Sequence, residues 1–118
     1  MRNYDVIVIG SGCGALISDE AASQGLKVAL IDKGPLIGGT CLNWGCIPSK
    51  MLIYVADRIV EIEEAKKLGV AAEVKNIDFY AVMERMRKSR QASQVHIREG
   101  IKEPKNLDFY EGECHFVS

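Results

Sequence analysis

The sequence is short of several things, and each shortage excludes something. Neither charge sign is in excess: 15 Lys and Arg against 16 Asp and Glu leave a net charge of −1. That balance gives no overall electrostatic reason to expect nucleic acid or an anionic membrane as partner. Apolar runs such as Val6–Ile9 are far too short to cross a bilayer, which takes about 20 residues. No secretory leader is visible, because "MRNYDVIVIG" runs straight into a glycine turn. The four cysteines and two histidines show no Cys-x-x-Cys or His-x-x-x-His spacing, so a zinc-binding domain is a poor reading of Cys13, Cys41, Cys46, Cys114, His96 and His115. Repeats and low-complexity segments are absent. The expected setting is a reducing cytoplasm, where cysteine pairs are more often reactive than structural.

What is present suits one ordinary domain: 118 residues, 47% apolar and 26% charged, fill a modest core but not two. "YDVIVIG" reads as a fully buried strand, β-branched and stopped by glycine, and Lys27–Asp32, "KVALID", as a second. Between them Cys13–Gln24 reads as a helix with Gly25 at its C-terminal end. The class is therefore α/β, a Rossmann-like βαβ unit with parallel strands and a crossover that should be right-handed. Two long helices follow. Ile47–Leu68 carries Leu52, Val55, Ile59, Ile62 and Leu68 at helical spacing, and Asp78 should cap a helix to Ile101 with Phe79, Val82, Met86, Ser93, Ile97 and Ile101 along one side. "NLDFYEGECHFV" should add one or two short strands around Gly112. The basic run Arg85–Arg90, "RMRKSR", lacks interleaved aromatics and is offset by Glu61, Glu63 and Glu64, so it reads as a solvated face.

The first functional signal is "GSGCGA", a G-x-G-x-x-A pattern at Gly10, Gly12 and Ala15. Gly10 permits a sharp turn, Gly12 lets backbone approach a pyrophosphate, and Ala15 lets helix press on sheet. The helix N-terminus then offers free N–H groups to phosphate. Asp32, ending the second strand, can accept hydrogen bonds from ribose hydroxyls. A close-packed turn without a ligand is the plainer alternative.

The second signal is "GGTCLNWGCIPSK", Gly38–Lys50. In one regular helix Cys41 and Cys46 would stand about 140° apart and could not bond, so the segment must be irregular at one end. Pro48 belongs in a first helical turn, which puts Cys46 at the helix's positive terminus and Cys41 on the incoming loop. That placement favours thiolate at Cys46 and leaves Cys41 the more exposed for attack on another disulfide. A reversibly bonded pair fits the spacing.

Together "DVIVIGSGCGA", "VALIDKG" and "GGTCLNWGCIPSK" resemble the N-terminal FAD segment of the class I pyridine nucleotide-disulfide oxidoreductases, whose members include dihydrolipoamide dehydrogenase and glutathione, mycothione and mercuric reductases. The resemblance implies a flavoenzyme passing two electrons between NAD(P)H, FAD and a Cys41–Cys46 disulfide, acting on a small-molecule disulfide or dithiol; a dihydrolipoamide-dehydrogenase-like member is the leading reading. Cys41 resembles the interchange thiol, Cys46 the thiol in charge-transfer contact with flavin, and Lys50 the lysine near the flavin's reactive edge. Gly39 and Thr40 resemble residues lining FAD, and Asp32 takes the ribose place that glutamate more often holds. Gly10, Gly12, Gly14, Ala15, Lys33 and Cys114 complete the implied cofactor-binding set, Cys114 standing near the adenine through backbone atoms. Cys13 and Trp44 depart from the pattern. Trp44 reads as packing beside the disulfide, with a role in substrate access as the alternative.

Family members continue well past this length, with the rest of the FAD domain, a nicotinamide domain and a dimerisation domain carrying a histidine–glutamate pair. Residues 1–118 are therefore expected to be the N-terminal part of the FAD domain, with NAD(P) binding and homodimerisation belonging to a longer protein. Neither His96 nor His115 is a candidate for the missing base. Such a piece should expose unpaired strand edges and apolar surface, favour self-association, bind FAD weakly if at all, and not turn over alone. A non-catalytic nucleotide-binding or self-assembling module is the rival from another class.

Overall fold

A computed structural model describes residues 2–117. Strand β1 (Val6–Ile9) leads through the glycine turn into α1 (Ala15–Ser23) and returns as β2 (Val28–Asp32). A one-turn helix, α2 (Gly39–Asn43), precedes the long helices α3 (Cys46–Glu64) and α4 (Phe79–Lys102), and β3 (Leu107–Glu111) completes a sheet of order β1-β2-β3. Both pairings are parallel, with Val6 beside Val28 and Val28 beside Leu107, so the α/β class and the βαβ start stand as expected. Helix α1 begins at Ala15 rather than Cys13, because Gly12–Gly14 form the turn that its first amides close onto.

The register sorts the strand residues by face. Val6, Val8, Val28, Leu30, Leu107 and Phe109 alternate onto one face, where Ala21 and Ala22 of α1, Ile37, and Ile97 and Ile101 of α4 close the core. Small alanines let α1 lie close against the sheet. The opposite face has no covering layer among the described residues, and Ile7 and Ile9 are 60% and 55% exposed. The expectation of a fully buried first strand is corrected accordingly: only Val8 of β1 is buried, because only one of its two faces is packed. A polar cluster crosses that open side, where Tyr4 Oη donates to Asp108 Oδ2 at 2.6 Å and Arg2 Nη1 donates to Tyr110 Oη at 3.0 Å. The hydrogen bond to Asp108 leads the causes that push the Tyr4 hydroxyl up to about 12.

Helices α3 and α4 form a hairpin that draws the molecule out to 69 × 27 × 26 Å. Asp78 caps α4 as expected, its Oδ1 accepting from the Ala81 amide at 2.9 Å. Two expected details change. Ala65–Leu68 tightens into a 3-10 turn ending at Gly69 (φ 80°), which turns Leu68 outward, and Phe79 at the start of α4 lies exposed, since only the later part of that helix reaches the sheet. The C-terminal stretch forms one strand, β3, after which residues 113–117 are irregular.

Candidate functional site

The glycine turn is held by a buried serine. Gly10 (φ 94°) donates its amide to Ile31 O at 2.7 Å, extending the β1–β2 pairing by one bond, and the chain then turns away. Ser11, 2% exposed, donates its amide and its hydroxyl to Asp32 Oδ2 at 2.7 and 2.5 Å, and its Oγ accepts from the Gly38 amide at 2.9 Å. Asp32 Oδ1 accepts from the Gly34 amide at 2.8 Å. Burial works to raise the Asp32 pKa, but the hydrogen bonds from Ser11 and Gly34, with the more distant Arg98, win and hold it below the ordinary carboxylate value. The turn, the end of β2 and the start of the cysteine segment are thus one connected unit.

Gly14 and Gly39 are required sterically. A Cβ on Gly14 would stand 2.9 Å from Val8 Cγ1, and one on Gly39 (φ 64°) would stand 2.6 Å from Gly12 Cα. Gly12 differs, because its own Cβ would meet only Gly39 Cα at 3.6 Å, an ordinary contact. Among the described residues no protein acceptor takes the amides of Gly12, Cys13 or Gly14, and these head α1 as orphan donors do at a helix start. The turn opens into a cleft of about 260 Å³ against His96, Ile97, Gly100 and Ile101 of α4. Free amides at a helix N-terminus, glycine where a ligand must come close, and a carboxylate ending β2 are the features that fit a dinucleotide such as FAD.

The cysteine segment is irregular, and its break falls between the cysteines. Cys41 lies in α2, not on a loop as expected; the left-handed glycines Gly38 (φ 102°) and Gly39 start that turn, and Trp44 and Gly45 (ψ −113°) break it from α3. Cys46 is the first residue of α3 and Pro48 the third, the placement that proline dictates. The neighbouring Cys46 thiol, then burial, pushes the Cys41 thiol above the ordinary cysteine range. Both are free thiols here, as are Cys13 and Cys114. The exposure order is the reverse of the expected one: Cys46 is exposed and Cys41 half-buried, because α2 tucks Cys41 beneath its own turn. Trp44 is 66% exposed, so it is not packing material.

Of the other residues singled out by sequence, Thr40 and Lys50 lie exposed on the same segment, Lys50 one turn into α3. Cys114 lies half-buried beyond β3, near the Gly112 amide that donates to Asp32 O at 2.8 Å. Lys33 leans to Glu113, Nζ to Oε1 3.5 Å, on the surface. Among the described residues no three His, Cys, Asp or Glu side chains converge as metal ligands. Sequence reading missed Ser11, whose only local signal is its place between two glycines, and Asn43, whose partners Arg90 and Gln94 lie about fifty positions away.

The sequence pattern of the pyridine nucleotide-disulphide oxidoreductases matches residues 4–110. The chain belongs to that family. Within it, the chain is 40% identical over 114 residues to a dihydrolipoyl dehydrogenase of Staphylococcus aureus, covering 96% of this chain and 24% of that protein. It is 45% identical over 67 residues to the glutathione reductase of Schizosaccharomyces pombe, covering 56% of this chain and 14% of that one. Among solved structures, the HOCl-induced flavoprotein disulfide reductase RclA of Escherichia coli, as its Cu(II) complex, superposes with a TM-score of 0.78 at 26% identity, covering 99% of this chain and 23% of that one. The chain thus spans about a quarter of the length of the S. aureus and E. coli proteins. No helix among the described residues is long and apolar enough to cross a membrane.

Proposed function

We propose that residues 1–118 are the N-terminal, FAD-holding part of a dihydrolipoyl-dehydrogenase-like flavoprotein disulfide oxidoreductase, with Cys41 and Cys46 as its exchanging pair. The observation that carries the reading is the joining of two elements: the segment that carries Cys41 in α2 and Cys46 at the head of α3 is packed backbone to backbone, Gly39 on Gly12, against the glycine turn. A dinucleotide on the free amides of Gly12, Cys13 and Gly14 would have the cysteine segment as its next neighbour. Gly10, Gly12, Gly14, Ala15, Asp32, Lys33, Gly39, Thr40, Lys50 and Cys114 would hold FAD, which when bound supplies a two-electron path between the cysteine pair and a nicotinamide. The Asp32 carboxylate, with about four lone-pair sites, has three taken by Ser11 and Gly34, leaving about one for a ribose hydroxyl.

The exchange itself needs only sulfur. With the pair oxidised, a substrate thiolate attacks Cys41 Sγ, the Cys41–Cys46 bond breaks, and Cys46 leaves as thiolate at the positive end of α3. The second substrate thiol then displaces Cys41, giving a substrate disulfide and two reduced cysteines. The substrate is a small dithiol or disulfide. NAD(P) binding and homodimerisation belong to the longer protein, and the exposed Ile7 and Ile9 beside the free edge of β1 favour self-association of the isolated chain.

Trapping tests the assignment. With Cys46→Ser, an aromatic disulfide reagent should leave a stable mixed disulfide on Cys41, mapped by mass spectrometry, whereas the unsubstituted chain should expel it and close to Cys41–Cys46. A stable adduct on Cys41 in the unsubstituted chain would show that the two cysteines do not exchange.

A further inference from the structure

Asn43 lies between the two cysteines, at the last position of α2, and is 1% exposed. Its Nδ2 donates to three carbonyls of the incoming segment, Leu36 O and Ile37 O at 3.1 Å and Gly39 O at 2.9 Å. Its Oδ1 accepts from Gln94 Nε2 at 2.5 Å, and its backbone carbonyl accepts from Arg90 Nη1 at 3.3 Å. Arg90 and Gln94 stand one turn apart on α4, so a single face of that helix reaches both polar ends of one residue. The amide orientation follows from the partners: with three carbonyls on one side, only the NH₂ can face them, and the oxygen is left for Gln94. Both polar ends of the Asn43 side chain are satisfied, while the buried Arg90 Nε has no partner among the described residues; a buried contact of this kind fails when a donor is replaced by an acceptor.

We infer that Gln94 and Arg90 are positioning residues: through Asn43, α4 clamps the turn that carries Cys41 and so sets the equilibrium between the Cys41–Cys46 dithiol and disulfide. The inference rests on the exchange proposed above for that pair. A disulfide closes only when the two Cα atoms stand about 4.4–6.8 Å apart with Cβ atoms facing, and α2 is joined to α3 only through the broken backbone at Trp44 and Gly45. That junction is held from within by the Trp44 amide, which donates to Thr40 O at 2.9 Å, and by Gly45 lying close to the Cys41 backbone; the contact from α4 adds a hold from outside the segment. The clamp acts two residues after Cys41; loosening it lowers the effective concentration of one thiol at the other and disfavours the oxidised form.

The test equilibrates the 118-residue chain with mixtures of reduced and oxidised dithiothreitol. Closing the pair passes two electrons and two protons to the oxidised reagent, which becomes the dithiol. Trypsin then releases Gly34–Lys50, which contains Cys41 and Cys46 but neither Cys13 nor Cys114, so its mass reports this pair alone. Gln94→Glu sets an acceptor against Asn43 Oδ1 and should shift the equilibrium towards the dithiol about tenfold, about 30 mV for a two-electron couple. Gln94→Lys keeps a donor and should stay within about twofold of the parent. Gln94→Leu, which adds no charge, should fall between them and serves alone should the Glu variant not fold. A Leu or Glu variant with the parental equilibrium overturns the clamp while leaving the exchange standing, as does a Lys variant shifted as far as Glu. A parent pair that never closes overturns both.

Discussion

Strand β2 and helix α3 show two ways of being held. In β2, Val28, Ala29 and Leu30 are at most 2% exposed, flanked by a parallel strand on each side and covered by α1 and α4 on one face. In α3, nineteen residues long, none is buried; its apolar stripe is half-covered by α4 and the rest meets solvent. The hydrogen bonds and close packing around the glycine turn are gathered at one end of the strong region, where Ser11, Asp32, Gly38 and Gly39 tie turn, strand and cysteine segment together. The hairpin reaches back to this dense end through Arg90, Gln94 and Arg98, the last donating to Pro35 O at 2.7 Å.

Substitutions sharpen this contrast. The largest loss should come from Leu30→Ala, about 2–5 kcal/mol in urea unfolding, against less than about 0.5 for Val60→Ala, half-exposed in the last third of α3; equal losses would erase the distinction. Next comes Gly39→Ala. A left-handed backbone alone costs a non-glycine residue about 1–3 kcal/mol, and the added Cβ also meets Gly12 Cα at 2.6 Å. Gly12→Ala separates fold from ligand: its Cβ finds only an ordinary contact, so stability should change by less than about 1 kcal/mol, while FAD affinity measured by fluorescence quenching should drop by about tenfold or more. A Gly12→Ala chain that binds flavin as the parent does would mean that the turn does not face a pyrophosphate.

Asp32 makes the comparison pH-dependent. Its native pKa lies below the unfolded value of about 4, so its contribution is complete above pH 4 and is lost as pH falls through the lower native value. Urea midpoints followed from pH 5 to 2 should fall less steeply in Asp32→Asn than in the parent. The smallest effect belongs to the hairpin surface. Glu84→Gln, breaking the 3.2 Å pair with Arg87, should move the midpoint by no more than about 0.5 kcal/mol, and less in high salt.

The βαβ start was legible because its signals are local: β-branched runs ending in glycine, an acid at the end of β2, a proline that can occupy only a first helical turn. The capped start of α4 was legible for the same reason, through Asp78. What escaped depends on partners distant in sequence or on what covers a surface. Alternation cannot tell a strand packed on one face from one packed on both, so Ile7 and Ile9 read as buried. The exposure of Cys46 over Cys41 follows from the left-handed glycines folding α2 into a turn of its own. Asn43 looked unremarkable because its meaning lies in Gln94, fifty-one positions on.

The most direct measurement is the visible spectrum of the purified chain with excess FAD, before and after one equivalent of dithionite under argon, beside Cys46→Ser. A long-wavelength charge-transfer band that appears on reduction and is missing from the serine variant is the predicted result, placing Cys46 against a flavin held by the Gly10–Ala15 turn. Bound flavin whose reduced spectrum is the same with cysteine or serine at position 46 would contradict it.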